Sequence, residues 1–382
     1  MDINFVYDYL AKKEKALTAE NEEALKERLY QIKKNSIDNL PGLKEKAIKN
    51  LKENGFFVYE AKTNEEARKI LIRVIGSAKN LVKSKSNTID ELDLKKLAKE
   101  KKWNLTETDI GDFLADLMGK ESGHPVLPAL TLNISEIAQK IKTSSSPQEM
   151  VNYLSSIIRK KILESEIGLT GANAITSSGQ AVILENEGNI SLVSRIPKIH
   201  IIVAGIEKIV PTLEDSLHVC RCAAIWGTGQ TLTSYISIIS GPSKTADIQN
   251  QIVVGAQGAK EVHLILLDDW RSGFLSSPYK EMLYCINCGA CLDICPVFIT
   301  EEKVIKILEP EKNFNCAICG ECTQVCPAKI DWLSLTRLAR KMHAKNKKVP
   351  AAVTEMLENV KKFANPFGKI TGKKIPKKLY CC

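Results

Sequence analysis

The residues with the most specific chemistry in this 382-residue chain are eight cysteines in two runs of identical spacing. The runs are Cys285-Ile-Asn-Cys288-Gly-Ala-Cys291-Leu-Asp-Ile-Cys295-Pro296 and Cys316-Ala-Ile-Cys319-Gly-Glu-Cys322-Thr-Gln-Val-Cys326-Pro327. Cysteines with this C-x2-C-x2-C-x3-C-P spacing bind [4Fe–4S] clusters, and the fourth cysteine of each run binds the cluster of the other run. Two structural zinc sites are the alternative, which the proline after each last cysteine disfavours.

This exchange of ligands predicts two [4Fe–4S] clusters. The first is expected on Cys285, Cys288, Cys291 and Cys326, and the second on Cys316, Cys319, Cys322 and Cys295. Gly289 and Gly320 leave room for backbone amides to approach the sulfurs and tune the reduction potential. The segment 280–332 resembles the bacterial-type ferredoxin domain, which implies transfer of single electrons.

The other four cysteines are interpreted as bystander thiols. Cys220 and Cys222 lie in one predicted domain, whereas Cys381 and Cys382 end the chain. A third metal site that combines the two pairs is the alternative.

Composition and charge narrow the class of protein. The chain is long enough for two or three domains, and 44% hydrophobic with 26% charged residues is ordinary for a folded protein. Its net charge of +9 favours an acidic partner or an anionic substrate. Nucleic acid is not indicated, because no basic run is interleaved with aromatic residues. No apolar stretch of membrane-spanning length and no signal-peptide core is evident, so we expect a cytoplasmic protein that reaches a membrane only through partners.

Alternating helical and apolar segments predict an α/β fold with a mostly parallel sheet. Strands are expected at residues 56–61, 80–84, 105–108, 168–174, 181–185, 199–204 and 261–267, and helices at 5–35, 43–54 and 63–75. Pro41-Gly42 is expected to break the helical pattern. The predicted domains are an N-terminal helical segment (1–40), an α/β domain (41–273), a small helical or α+β iron–sulfur domain (274–345) and a basic tail (346–382). The tail is either a solvated terminus or a docking strip for an acidic partner.

Two basic segments are candidates for binding an anion. Lys83 and Lys85 follow a predicted strand, while Ser243, Lys244 and Thr245 follow a Gly-Pro turn before a predicted helix. Hydroxyls, ammonium groups and helix N-terminal amides bind carboxylate or phosphate. A solvated face for the lysines and simple helix capping for the Ser243 turn are equally compatible with the pattern.

Three further residues are candidates for catalysis. Glu185 and Glu187 follow a predicted strand beside Gly188, where enzymes with this layout expose acids or nucleophiles. His200 begins an apolar strand and has the ordinary pKa of a base near neutral pH. Surface carboxylates in a turn and a packed histidine are the alternatives.

Several phrases in the α/β domain are specific enough to indicate a family. They are Gly168-Leu-Thr-Gly171-Ala-Asn173, Glu185-Asn-Glu187-Gly188-Asn189, Pro197-Lys198-Ile-His200, Gly205-Ile-Glu207-Lys208, Gly241-Pro-Ser243-Lys244-Thr245 and Gly258-Ala-Lys-Glu261-Val-His263. Together with Val82-Lys83-Ser84-Lys85-Ser86, they resemble the LUD domain of lactate utilisation proteins. Followed by the double cysteine motif, the chain is similar to the iron–sulfur subunits of L-lactate dehydrogenase complexes.

This resemblance implies a Rossmann-like sheet related to sugar-phosphate isomerases and coenzyme A transferases. It also implies a subunit of an NAD-independent oxidoreductase complex that converts lactate to pyruvate, with a second LUD protein and a cysteine-rich CCG-domain protein as partners. Asn365-Pro-Phe-Gly368 resembles instead the small iron–sulfur subunit of heterodisulfide reductases. The alternative function is therefore an electron-transfer adaptor of that type, whose LUD domain docks partners or binds another 2-hydroxy acid.

Electron counting adds one expectation about cofactors. Oxidation of lactate to pyruvate releases two electrons and two protons, whereas each cluster accepts one electron. No G-x-G-x-x-G phrase is present, so a dinucleotide bound in the usual way is disfavoured. We therefore expect a flavin on a partner subunit to divide the electron pair.

Anaerobically purified protein should contain about eight iron atoms and eight acid-labile sulfides per chain, because two complete four-cysteine sets are present. Metal and sulfide analysis of the as-isolated protein measures both. Zinc in place of iron would contradict the assignment.

Overall fold

The computed structural model describes residues 3–18, 21–120, 129, 132–297 and 308–370. The chain divides into two compact units, residues 1–289 and 290–382. Cys381, Cys382 and the lysines of the predicted tail that follow Lys369 lie outside the described residues. The predicted domain bounds remain a prediction.

The first unit alternates helices and strands. Its helices are α1 (Ile3–Thr18), α2 (Glu22–Asp38), α3 (Leu40–Glu53), α4 (Asn64–Ile75), α5 (Asn87–Asp90), α6 (Leu94–Lys101), α7 (Ile110–Leu117), α8 (Ile134–Ile141), α9 (Pro147–Leu163), α10 (Asn189–Arg195), α11 (Leu213–Thr228) and α12 (Arg271–Leu275). Short 3-10 helices span Ile206–Lys208 and Lys280–Tyr284. The strands are β1 (Phe57–Ala61), β2 (Asn80–Lys83), β3 (Asn104–Glu107), β4 (Ile167–Thr170), β5 (Ala174–Thr176), β6 (Ala181–Glu185), β7 (Ile199–Gly205), β8 (Ile209–Val210), β9 (Tyr235–Ile239), β10 (Lys244–Thr245), β11 (Val253–Val254) and β12 (Glu261–Leu267).

A six-stranded parallel sheet forms the centre of this unit, with the order β1-β12-β7-β4-β2-β3. The predicted α/β class with a mostly parallel sheet is thus confirmed. All the carboxyl ends of parallel strands lie along one edge, so the loops that follow β2, β3, β4 and β7 meet there.

A second sheet has the order β8-β5-β6-β9, and β10 pairs with β11 in a separate antiparallel ribbon. This ribbon corrects one expectation. The predicted helix after the Ser243 turn is wrong, because Lys244 and Thr245 pair with Val254 and Val253 as strand residues.

The N-terminal helices differ from the prediction in one place. The single helix expected over 5–35 is two helices, and α2 begins at an Asn21 cap whose side chain accepts a hydrogen bond from the Ala24 amide at 3.0 Å. The helical pattern does break next to Pro41-Gly42, since α2 ends at Asp38 and these two residues lie in the first turn of α3. Proline is tolerated there, because first-turn amides have no intrahelical acceptor.

Apolar side chains from adjacent parallel strands form the main core. Leu81, Ile167, Ile201 and Ile265 lie on four neighbouring strands and are at most 1% exposed, and α4 packs Leu71 against the same cluster. Strands buried in this way are nearly continuous apolar runs, which is why the sequence pattern located them.

Arg271 ties the carboxyl ends of several strands together. Its guanidinium is buried directly after β12, and it pairs with Glu207 and, through two nitrogens at 3.1 and 3.2 Å, with Glu91. A Cβ atom at Gly205 would lie 2.0 Å from the Glu207 carboxylate, so only glycine leaves room for this pair.

The second unit is helical in its described part. Its helices are α13 (Ala290–Asp293), α14 (Pro310–Asn315), α15 (Glu321–Val325), α16 (Trp332–Lys345) and α17 (Ala351–Phe363). Arg340 on α16 donates to the carbonyls of Asn313 and Cys316, which fixes the end of α14 at the second cysteine run. Among the described helices of the chain, none is long and apolar enough to cross a membrane.

Gly168→Ala should lower the free energy of unfolding by ~1–3 kcal/mol or more, because overpacking is costly and the new Cβ would lie 2.0 Å from the Val193 carbonyl of α10. Gly42→Ala is the control, since no atom lies within 4 Å of the Cβ position there. Urea unfolding of both variants tests this, and equal stability of the two would contradict the described packing of β4 on α10.

Candidate functional site

A cavity of about 370 Å³ lies at the carboxyl edge of the six-stranded sheet. The loop after β2 contributes Lys85, that after β3 contributes Asp109, that after β4 contributes Asn173, and the 3-10 helix after β7 contributes Lys208. Ligands of parallel α/β sheets bind at this edge, because several loops converge there. The cavity is therefore the candidate site.

Lys85 is the candidate residue for binding an anion. It lines the cavity, and among the described residues its Nζ atom is buried without a hydrogen-bond partner. Burial lowers the pKa of Lys85, and the neighbouring Asp112 and Asp109 act against that effect. A buried ammonium group without a partner is costly, so a negatively charged ligand in the cavity would stabilise it.

Lys83 has a different role, although only one residue separates it from Lys85. Its buried ammonium group contacts both oxygens of Glu107 at 2.9 and 3.0 Å, and Asp90 at 3.3 Å. Burial alone would lower the pKa of Lys83, but attraction to Glu107 and Asp90 outweighs it and raises that pKa. Lys83 and Glu107 are paired in register on β2 and β3, so this ion pair joins two strands.

Glu187 is the candidate base among the acids at the cavity. Desolvation and then repulsion from Asp109 raise the pKa of Glu187 to about 7, against a 3.2 Å hydrogen bond from the Ile110 amide and the charge of Lys85. Glu187 is an exposed residue that lines the cavity. A carboxylate with such a pKa exchanges protons at neutral pH.

Glu185 lies on the same wall but is held by the protein. Its carboxylate accepts hydrogen bonds from the Ser191 amide at 2.8 Å and from the Ser191 hydroxyl. It also accepts one from Ser237 at 3.3 Å. These contacts fix the first turn of α10 against β6 and β9.

His200 lies inside the sheet. It is fully buried, its Nε2 atom lies 2.8 Å from the Thr170 hydroxyl, and burial lowers its pKa to about 3. His200 is the second residue of β7 and so lies near the amino end of that strand, away from the carboxyl edge. The geometry therefore favours the packing interpretation of this histidine.

The Ser243 segment is not brought to the cavity. The Ser243 amide donates to Ala259, which precedes β12, and a Cβ atom on Gly55, which precedes β1, would touch Pro242. The Ser243–Thr245 ribbon thus lies at the amino ends of parallel strands, whereas Lys83 and Lys85 lie at the carboxyl ends. The two predicted basic segments do not form one anion site.

Sequence reasoning did not propose several polar residues of the cavity, among them Lys33, Asp109, Asn173 and Lys208. Asp109 and Lys208 follow predicted strands and Asn173 lies near the end of one, and this position was the available signal. Lys208 donates to the Ala172 carbonyl at 2.8 Å and to Thr88 at 3.0 Å. Lys33 comes from α2, a helix whose approach to the sheet edge no local pattern encodes.

The first cysteine run forms part of the cavity wall. Cys285, Ile286, Asn287 and Cys288 line it together with the sheet loops. Close packing on α11 positions this segment, since a Cβ atom at Gly227 would lie 3.2 Å from the Cys288 carbonyl oxygen. Two predicted ligands of the first cluster, Cys285 and Cys288, therefore line the same cavity as Lys85 and Glu187.

Both cysteine runs adopt the same local conformation. The amide of Asn287 donates to the Cys285 sulfur and the amide of Ile318 donates to the Cys316 sulfur, each at 3.4 Å. Asn287 and Ile318 have φ of 57° and 55°, and the glycines two residues later have φ of 82° and 87°. A left-handed conformation is unfavourable for isoleucine, so its recurrence at equivalent positions marks a functional constraint. Amides directed at sulfur fit cluster-binding loops.

The predicted ligands of the second cluster, Cys295, Cys316, Cys319 and Cys322, all lie in the second unit. Burial and then repulsion from Cys316, Cys319 and Cys295 raise the pKa of Cys322 to about 11, so these four thiols are electrostatic neighbours. Within the described ranges, no three or more His, Cys, Asp or Glu side chains are arranged to hold a metal ion. None of the described cysteines forms a disulfide, and Cys220 and Cys222 are buried with pKa values raised by burial to about 12. The two cluster assignments remain predictions.

Comparison with known proteins identifies the fold family. The sequence profile of the LUD domain matches residues 44–267. The chain belongs to the LUD domain family. The matched region contains β1 to β12, and hence the sheet loops that line the cavity. Lys33 and the cysteine wall lie outside this LUD domain.

The most informative relatives are bacterial proteins. Lactate utilization protein B of Bacillus velezensis is 34% identical over 288 residues, which cover 73% of this chain and 59% of that protein. Lactate utilization protein B of Bacillus subtilis is 34% identical over 278 residues, which cover 70% of this chain and 56% of that protein. The chain thus spans less than two thirds of the length of these relatives.

A solved structure also resembles this chain. A crystal structure of a DUF162 family protein from Deinococcus radiodurans matches 60% of this chain and 98% of its own, with a TM-score of 0.34 and 12% identity.

Replacement of Lys83 by methionine should destabilise the protein, whereas the same replacement of Lys85 should not. Lys83→Met leaves the Glu107 carboxylate buried without its partner and should lower the free energy of unfolding by ~3–5 kcal/mol. Lys85→Met should leave it unchanged or raise it, because a lowered pKa means that the charged amino group is less stable in the folded than in the unfolded chain. Urea unfolding at neutral pH compares both with wild type. Equal losses would contradict the separation of a structural lysine from a ligand-binding one.

Proposed function

We propose that this chain is an iron–sulfur electron-transfer subunit of a lactate-oxidising complex, and that its cavity binds the 2-hydroxy acid. The observation that carries the proposal is the shared wall: Lys85, Glu187 and the Cys285–Cys288 segment line one cavity. The similarity to proteins named lactate utilization protein B supports lactate as the substrate class.

Lys85 would bind the substrate carboxylate. Its Nζ atom has no hydrogen-bond partner among the described residues, whereas Lys33 and Lys208 donate to protein oxygens. A charged hydrogen bond of this kind contributes ~1.5–3 kcal/mol. Binding at Lys85 would also remove the cost of its burial, so the carboxylate is favoured over a neutral ligand.

Glu187 would accept the hydroxyl proton. With a pKa of about 7, a substantial fraction of Glu187 is deprotonated at neutral pH and able to act as a base. Glu187 and Lys85 line the same cavity, so one small molecule bound there would lie between the two groups. Glu185 would position α10 rather than react, because Ser191 already occupies its carboxylate.

Cys285, Cys288, Cys291 and Cys326 would hold the first [4Fe–4S] cluster, and Cys316, Cys319, Cys322 and Cys295 the second. Each cluster, when bound, accepts or donates one electron. Lactate also loses the hydrogen on C2 together with two electrons, which a single cluster cannot accept. A flavin carried by a partner subunit would supply that chemistry by taking the C2 hydrogen with both electrons and passing the electrons on singly. A second LUD protein and a CCG-domain cysteine-rich protein would be the other partners.

Lys85→Ala should weaken binding of L-lactate by about tenfold to a hundredfold, because a charged hydrogen bond of ~1.5–3 kcal/mol is lost. Lys244→Ala should bind lactate as wild type does, since Lys244 lies on the ribbon at the amino ends of the strands. Calorimetric titration of anaerobic protein with intact iron content measures both affinities.

Two outcomes would contradict the proposal. Wild-type protein that fails to bind any small 2-hydroxy acid, alone and with co-purified partners, would favour a LUD domain that only docks partners. Equal losses for Lys85→Ala and Lys244→Ala would show that the cavity is not the anion site.

A further inference from the structure

Helix α2 contacts the segment directly before the first cysteine run. The rings of Tyr30 on α2 and Tyr284, directly before Cys285, meet edge to face with centroids 6.0 Å apart. Asp38, at the end of the same helix, pairs with Lys280 at 2.7 Å. These two contacts hold the segment before Cys285 against α2.

Lys33 lies on α2 between these two contacts and is directed inward. It is 2% exposed, and its Nζ atom donates to the Glu207 carbonyl at 2.5 Å. It lines the cavity together with Cys285 and Cys288. Within the described residues, no carboxylate pairs with its ammonium group, although Lys26 and Lys34 on the same helix both have such partners.

A buried cation beside two cysteine ligands has a definite electrostatic effect. Reduction of a cluster adds one negative charge, and attraction between that charge and a nearby cation is strong where water is excluded. Net charge and hydrogen bonding around a cluster are among the factors that set its potential. The ammonium group of Lys33 therefore favours the reduced state of the cluster that it faces.

We propose that Lys33 raises the reduction potential of the first cluster, so that electrons from the cavity enter the chain there. This inference rests on the proposed function, because it requires that Cys285 and Cys288 hold a cluster. Lys33 acts on the cluster through the charge of its ammonium group and does not contact the substrate. The N-terminal helices, which lie outside the LUD domain match, thereby acquire a role in electron transfer.

Lys33→Gln tests the proposal by anaerobic redox titration followed by EPR. One of the two reduction steps should move to lower potential by about tenfold in its equilibrium constant, ~59 mV for a one-electron couple, while the other stays. Lys33→Arg should retain the wild-type potential, because it keeps the charge. Lys34→Gln is the matched control, since it removes an exposed lysine from the same helix and should move neither step.

Lys33→Met is titrated in parallel, so that a variant with full iron content is measured even if glutamine is tolerated poorly at this buried position. Unchanged potentials in an iron-loaded Lys33→Gln or Lys33→Met protein would overturn the proposal. An equal shift in Lys33→Arg would also overturn it, because packing and not charge would then be the cause. Absence of iron from wild-type protein is a separate result, which would refute the proposed function itself.

Discussion

The buried guanidinium of Arg271 is the constraint on which the arrangement of the cavity depends. Burial of a guanidinium is costly unless it is paired, and Arg271 pairs with Glu207 after β7 and with Glu91 after α5. The pair leaves no space for a side chain at residue 205 and fixes the 3-10 helix that follows. As a result Lys208 faces the cavity, and the Glu207 carbonyl is placed to accept the hydrogen bond from Lys33. One ion pair thus links the sheet edge, the cavity and the N-terminal helix.

Local patterns in the sequence located the core strands well. The bounds expected for β6 and β12 match the structure, because each is an apolar run with polar or glycine residues at its ends. The cysteine spacing likewise predicted two equivalent loops, and their matching φ values agree with that repeat. Local sequence patterns gave the wrong secondary structure where pairing with a residue distant in the sequence determines it. The Ser243 turn begins a ribbon because Val254 pairs with Lys244, and no helix-capping signal reveals that partner.

The roles of Lys83 and Lys85 illustrate why a candidate site needs the structure. Both lysines follow the same apolar run, and either is suited to an anion by type. The register of β2 with β3 places Glu107 opposite Lys83, which makes this lysine structural, and leaves Lys85 beyond the strand at the cavity. The role of His200 also depends on a neighbouring strand, because the hydroxyl group that contacts its ring belongs to Thr170 on β4. Pairing between strands, rather than residue type, separates the lysine held in an ion pair from the lysine at the cavity.

We propose that substrate oxidation at the cavity feeds electrons to cysteine-bound clusters through the Cys285–Cys288 wall. The most direct measurement is the visible absorbance of the clusters in the anaerobic complex purified with its partners, before and after addition of L-lactate. We expect lactate to bleach the wild-type complex and to leave the same complex with Lys85→Ala unbleached at equal concentration, while dithionite bleaches both. No lactate-dependent bleaching of a wild-type complex whose clusters respond to dithionite would contradict the account.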